Sequence, residues 1–511
     1  MTTSPSNVAL RGYQVAACEA IQRGFTEYQR QLLVLPTGGG KTVVFAHLAA
    51  INQPRRTLVL AHREELIGQA VEKIRAVTGL TAEVEMADSH ASFNAPVVVA
   101  SVQTLMRSTR RERWPRDHFG LVVVDEAHHS LADSYLSTLR HFDETAFVLG
   151  VTATPDRSDK KNLGRYFQNI AYEVTLLDLI RQNWLVPIRA KTIPLEIDLD
   201  DVGTTAGDYN AKDLGHAIEP YLERIADVVA EHGHRKTLAF LPLVSLSRDF
   251  AALCCKRGLR AEHVDGRSED RRDILGRFSR GETRVLTNAM LLTEGYDEPS
   301  IDCVVCLRPT QVRALYSQIV GRGTRLYPGK DHLLLLDFLW MSEEHNLVKP
   351  ANLIASDPEE ANAITAALGF EGDLEEAKGK ADVDHAATLR QRLKQNARRT
   401  SRTFDAVEFA LSLGEVELAD FVPTMGWHGD PATAKQKATL GKFGVDPGTL
   451  TCKGQAGALL DKLFLRSDLG LATARQVLWL RKLGHPTPEL ATFDEAKQFL
   501  DAKWNKPEVA A

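Results

Sequence analysis

The stretch Pro36-Thr37-Gly38-Gly39-Gly40-Lys41-Thr42 follows an apolar run, Gln31 to Leu35, and precedes a stretch of helical character. Successive glycines let the main chain turn sharply and bring its amides close to an anion. The residues after them open a helix, whose N-terminus favours the same negative charge. A strand, a glycine loop and a helix in that order constrain the fold to an α/β unit with a phosphate site at its loop. Lys41 is placed to reach β- and γ-phosphate oxygens, and the Thr42 hydroxyl to hold Mg²⁺. Leu35 stands where the general form of the loop has another glycine.

The surrounding pattern repeats the same unit. Gln31 to Leu35, Arg56 to Ala61, Val97 to Ser101, Leu121 to Asp125 and Ala146 to Gly150 are short and rich in Val and Leu, without strict alternation. Strands buried on both faces read this way. Helical spacing fills the gaps between them, as in Glu64 to Thr78. The alternation resumes at Thr237 to Leu241, Ala261 to Val264, Arg284 to Thr287, Ile301 to Leu307 and His332 to Asp337. The expected fold class is α/β: two tandem doubly wound parallel-sheet domains, followed by an all-α module. The expected divisions are a first domain over 1–175, a connection over 176–221, a second domain over 222–342, a charged linker over 343–430 and a helical repeat over 431–505.

Composition removes some alternatives. The chain has 511 residues and a net charge of −5, so contact with nucleic acid would be confined to a local groove. No apolar run approaches the length of a membrane span, and residues 1–7 are polar without a signal region. Six scattered cysteines suggest a reducing compartment, read as the cytoplasm. Cys303 and Cys306 form a C-x-x-C without a second pair, so no zinc is expected.

Two further constellations carry chemistry. Asp125-Glu126-Ala127-His128 closes the apolar run Leu121 to Val124. Asp125 is placed to hold Mg²⁺, Glu126 to orient an attacking water, and His128 to link this site to the second domain. Nearly two hundred residues later comes Gln318-Ile319-Val320-Gly321-Arg322-Gly323-Thr324-Arg325. Its two arginines, three apart, are expected on one helix face, where guanidinium groups suit transition-state phosphate charge.

The C-terminal region contains an internal repeat of 40 residues: Ala432-Thr433-Ala434-Lys435-Gln436 matches Ala472-Thr473-Ala474-Arg475-Gln476. Both units open with a Thr-x-x-Gln capping box, and Gly444 and Gly484 sit where a helix would stop. Each unit reads as two short helices that dock on a partner or on DNA. Before it, the basic segment Arg390 to Arg402 reads either as a solvated helix or as a nucleic-acid arm.

Together these motifs resemble a superfamily 2 helicase of the DEAH type, from about Leu10 to Asp337, and most closely the bacterial RadD-like DNA helicases, relatives of the XPB group. The resemblance implies RecA-like domains, ATP and Mg²⁺ as ligands, and DNA, single-stranded or branched, as partner. Arg11-Gly12-Tyr13-Gln14 looks like the adenine-reading segment, with Gln14 on the base. Leu60 to Leu66 resembles motif Ia, with His62 and Arg63, and Ser101 to Leu105 motif Ib, with Gln103 and Thr104; both imply contacts to a nucleic-acid backbone. Thr152-Ala153-Thr154 resembles the coupling motif III. Thr287-Asn288 and Thr293 to Asp297 resemble motif V, with Thr287 toward nucleic acid and Asp297 toward the ribose. Gln318, Arg322 and Arg325 fall in motif VI. The C-terminal units also resemble small helical modules of phage and bacterial replication proteins, which implies replication or repair proteins as possible partners. A remodelling ATPase that does not unwind, an RNA helicase and an interaction scaffold remain alternatives.

Overall fold

The computed structural model describes residues 9–62, 64–129, 133–153, 163–195, 202–205, 208–293, 295–340, 347–396, 406–423 and 425–504. Arg63 and Thr154 lie outside these residues, as does the 397–402 part of the basic segment.

The first sheet contains β1 (Arg30–Val34), β2 (Arg56–Ala61), β3 (Ala82–Glu85), β4 (Val97–Ser101), β5 (Phe119–Asp125), β6 (Phe147–Thr152) and β7 (Asn169–Glu173). Their order is β3-β4-β2-β5-β6-β1-β7, with every neighbouring pair parallel. The chain leaves β1 through the glycine loop, and β2 lies three places away in the sheet. Such a jump opens a crevice beyond the carboxyl ends of the strands, where ligands bind in α/β sheets. Leu32, Leu33, Val59, Val98, Val123 and Leu149 are fully buried, as continuous Val/Leu strands between helical layers require.

The segment 176–221, expected to be a connection, is largely structural. Within it, β8 (Ile188–Leu195) is a strand of the second sheet. A small antiparallel pair follows, β9 (Thr204–Thr205) with β10 (Asp208–Tyr209). The second sheet adds β11 (Thr237–Phe240), β12 (Ala261–Val264), β13 (Val285–Asn288), β14 (Cys303–Cys306), β15 (Leu333–Trp340) and β16 (Glu371–Asp373). Its order is β12-β13-β11-β14-β15-β8-β16, parallel except for β16, which runs antiparallel to β8. Leu195, Tyr209, Leu214 and Ile218 all enter the core of this domain. The expected linker over 343–430 is likewise shorter, since β16 completes the second sheet.

A separate compact unit comprises residues 160–165 and 380–511. Its described helices are packed into two small cores. Phe409, Leu413, Leu440, Val445 and Leu459 form one, so residues before 431 belong to this module. Ala472, Val477, Leu480, Ala496 and Leu500 form the other. The repeat is structural as well as textual. Helices Ala434–Lys442 and Lys453–Asp468 make the first unit, Ala474–Lys482 and Phe493–Trp504 the second. Both capping boxes form, and Gly444 (φ +92°) and Gly484 (φ +77°) take left-handed backbone just past the first helix of each unit.

Candidate nucleotide site

The glycine loop lies at the carboxyl end of β1. A turn closes it, with the Gly39 N–H donating to the Pro36 carbonyl at 2.9 Å. Gly38 (φ +86°) and Gly40 (φ +78°) are left-handed, a conformation that side chains other than glycine resist. Gly40 caps the helix Lys41–Ile51, so Lys41 and Thr42 occupy its first turn. This is the geometry of a phosphate cradle.

The acidic motif faces it from β5. Lys41 Nζ donates to Glu126 Oε1 at 2.5 Å, and both side chains are nearly buried. His128 Nδ1 lies 3.5 Å from Glu126 Oε2 and 3.2 Å from Thr152 Oγ1. Thus His128 joins the acidic motif to motif III at the end of β6. Glu126 itself has φ +50°, and its N–H donates to Asp125 Oδ1 at 3.1 Å. A left-handed glutamate is strained, and such strain concentrates at functional sites. Burial, reinforced by the neighbouring Glu126 charge and opposed by Lys41, raises the Asp125 carboxyl to about 6. A half-buried carboxyl of raised pKa beside the Lys41–Glu126 pair suits a divalent cation, whose charge would favour its ionised form. Magnesium keeps most of its waters and needs few protein donors, so the Asp125 carboxyl and Thr42 hydroxyl fit it. Among the described residues no cluster of three His, Cys, Asp or Glu side chains gathers for a metal.

The N-terminal segment also reaches the loop. Tyr13 Oη donates to the Gly39 carbonyl at 2.7 Å, and Gln14 Nε2 to the same oxygen at 3.2 Å. Gln14 Oε1 accepts the Arg11 N–H at 3.0 Å, so both ends of this amide are engaged on backbone rather than facing a base. The Arg11 guanidinium lies 5.1 Å over the Trp184 ring, which Tyr13 also meets edge-on. Tyr13 and Trp184 were not foreseen as site residues. Tyr13 sits inside the quoted motif, but Trp184 lies in a segment with no sequence signal.

The second domain meets the loop through motif VI. A Cβ on Gly321 would come within 2.4 Å of Thr37 Cβ, and one on Gly38 within 3.3 Å of Thr324 Oγ1 and 3.7 Å of Arg325 Cγ. Glycine at both positions permits this approach. Gln318 is buried in the helix Arg313–Gly321. That helix ends at Gly321, so the two arginines do not share a helical face as expected. Arg322 caps the helix, and its guanidinium donates to the Thr293 carbonyl at 3.0 Å and the Tyr296 carbonyl at 2.8 Å. Arg325 lies on an extended bridge to Leu185 and pairs with Asp297 at 3.0 Å. Gly323 and Thr324, past the helix end, separate the two arginines. Asp297, assigned to the ribose, is an arginine partner here.

The nucleic-acid residues divide. Gln103 Nε2 donates to the His62 carbonyl at 2.9 Å and its Oε1 accepts from Ser101 Oγ at 2.8 Å, so motifs Ia and Ib are joined, with Gln103 exposed. Thr104 is turned inward: it is 8% exposed, and its hydroxyl accepts the Ala87 N–H at 3.3 Å. Thr287 is fully buried on β13 and donates to the Ser247 carbonyl at 2.8 Å. Both hydroxyls are bonded within the protein.

Comparison with known proteins agrees with this geometry. Residues 7–157 match the family described as "Type III restriction enzyme, res subunit", and residues 220–327 the "Helicase conserved C-terminal domain". The chain is 34% identical over 388 residues to the "Putative ATP-dependent helicase IRC3" of Saccharomyces cerevisiae, covering 70% of this chain and 55% of that protein. It is 28% identical over 320 residues to the "Putative DNA 3'-5' helicase Rad25" of Halobacterium salinarum, covering 61% of this chain and 52% of the other. The chain therefore spans about half the length of these curated relatives. Among solved structures, the type ISP restriction-modification enzyme LlaBIII bound to DNA superposes with a TM-score of 0.55 at 15% identity, over 98% of this chain and 43% of that one, a likeness of fold. The two α/β domains are thus the parts of the chain that match helicase family models and the yeast and archaeal helicases.

Proposed function

We propose that the chain is an ATP-driven DNA translocase or helicase of the DEAH type. The observation that supports it best is the meeting of Lys41, Glu126 and Asp125 with a glycine loop that motif VI touches through Gly321 and Thr324. In the structure Lys41 and Glu126 neutralise each other. Phosphate oxygens offer the ammonium a stronger partner, and their arrival frees the Glu126 carboxylate to orient water. A Mg²⁺ held by Thr42 and Asp125 supplies phosphate charge neutralisation when bound. Arg322 and Arg325 stabilise charge on the transferred phosphoryl group after leaving their contacts on residues 293–297. Such arginines contribute about 10³–10⁵ in rate. His128 and Thr152 carry the change toward the strand-binding motifs. DNA as substrate draws support from the likeness to the Halobacterium relative, the "Putative DNA 3'-5' helicase Rad25". Replication or repair proteins are the proposed partners of the C-terminal repeat.

The test is ATP hydrolysis with no nucleic acid, with single-stranded DNA, with duplex and with RNA, using Lys41→Ala as blank. Stimulation by DNA is the expected outcome. Stimulation by RNA alone would replace DNA with RNA, and no activity under any condition would end the motor reading.

A further inference from the structure

The leading helices of the C-terminal repeat are basic in a chain that is acidic overall. Across the repeat's two units, Pro431 to Trp504, there are eleven Lys and Arg against seven Asp and Glu, and the excess lies in the leading helices, in a chain whose net charge is −5. The leading helix of each unit contains no acidic residue at all: Ala434–Lys442 bears Lys435, Lys437 and Lys442, and Ala474–Lys482 bears Arg475, Arg481 and Lys482.

Placement follows the repeat. Leu440 and Leu480 occupy equivalent positions and are both fully buried. On the exposed side, Lys435 and Lys442 correspond to Arg475 and Lys482, and all four are exposed. Residues seven apart return to the same helix face after two turns, about 10 Å along the axis. Each unit thus presents two cations in one line. In the second unit Trp479 lies between them at i+4, is 43% exposed, and has the Lys482 ammonium 4.9 Å from its ring centre. Arg481 points elsewhere: it donates to the Leu411 carbonyl and pairs with Glu489, a structural role.

Paired cations on a line with an exposed aromatic ring match a strand of phosphates carrying stackable bases. We infer that the leading helices of the two units form an accessory binding face for single-stranded DNA, with Lys435, Lys442, Arg475 and Lys482 on phosphates and Trp479 under a base. The choice of DNA rests on the proposed function. A folded acidic protein would use the charges but not the ring face, and duplex hides its bases.

The test uses the full chain and a fluorescein-labelled oligothymidylate, with anisotropy read over a salt series without nucleotide. Neutralising four phosphate contacts lowers the slope of log K against log salt by about 3. The variant K435Q/K442Q/R475Q/K482Q, all on exposed positions, is expected to show that reduction, and Trp479→Ala roughly tenfold weaker binding at unchanged slope. Both variants are expected to keep wild-type kcat for ATP at saturating DNA. An unchanged slope in the fourfold variant overturns the inference. So does a neutral Trp479→Ala, or an equal effect of both variants on duplex. Those results can occur with DNA-stimulated ATPase intact, whereas loss of stimulation in the wild-type chain strikes the motor reading instead.

Discussion

The two α/β domains share a seven-stranded plan but hold their functional charges differently. In the first, Lys41, Glu126 and His128 satisfy one another across the loop at the sheet's carboxyl end. In the second, Arg322 and Arg325 are tied to the segment 293–297 of their own domain. Side chains that neutralise each other can be released by a competing anion. Guanidinium groups tied to a neighbouring segment must break those contacts before they can turn to a phosphate. On the proposed function, the first domain is the binding half, and the second supplies groups that act only after a rearrangement.

The most severe way to break this contrast is to remove the arginines. Arg322→Ala and Arg325→Ala are expected to lower kcat about 10³-fold while leaving ATP affinity nearly unchanged, as read by steady-state hydrolysis beside nucleotide titration. A large loss of affinity instead would make them ground-state ligands. Next comes Glu126→Gln. It is expected to cost on the order of 10² in kcat and to leave ATP binding as tight or tighter, because Lys41 loses its competing partner. Weaker binding would mean that the pair helps to build the loop.

Two smaller effects sharpen the contrast. Thr287→Val removes a buried hydroxyl that joins β13 to Ser247, so urea unfolding should show a loss of about 1–2 kcal/mol, with DNA affinity unaltered. A drop in affinity without a change in stability would restore Thr287 as a DNA contact. Asp337 tests the second sheet. Burial raises its carboxyl to about 7, against the opposing pull of Tyr316 and Lys349. A raised folded-state pKa gives stability that is fully present below the unfolded value and lost as pH rises through about 7. Asp337→Asn should therefore raise the melting temperature by a few degrees at pH 8 and leave it unchanged at pH 4. A flat pH profile for the difference would remove the carboxyl as its source.

The interior strands were readable because Leu32, Val59, Val98 and Val123 lie in runs buried on both faces. β3, β7 and β16 escaped notice because they are sheet edges carrying Glu83, Glu173 and Glu371. β8 escaped because Pro187 precedes it and Pro194 lies within it, and proline ordinarily argues against an interior strand. The phosphate loop and acidic motif were legible because their chemistry resides in residue type and order. The direction of a side chain is a different matter. Thr104 and Thr287 stand in recognisable motifs, yet packing turned their hydroxyls inward. The helix end at Gly321 and the ring of Trp184 beside Arg11 depend on contacts between distant segments, which a linear pattern does not record.

The early start of β8 has a kinematic consequence. The helix Leu176–Arg181 ends only six residues before Ile188, and within that span Leu185 and Val186 are already bonded to motif VI. Six residues reach at most about 20 Å when fully drawn out. The covalent tie between the domains thus behaves as a short tether anchored beside Thr324 and Arg325. Any excursion has to bend around Gln182 to Trp184, where Asn183 already sits at φ +58°. How far the two domains can travel apart is bounded by this short hinge rather than by the sheets it joins.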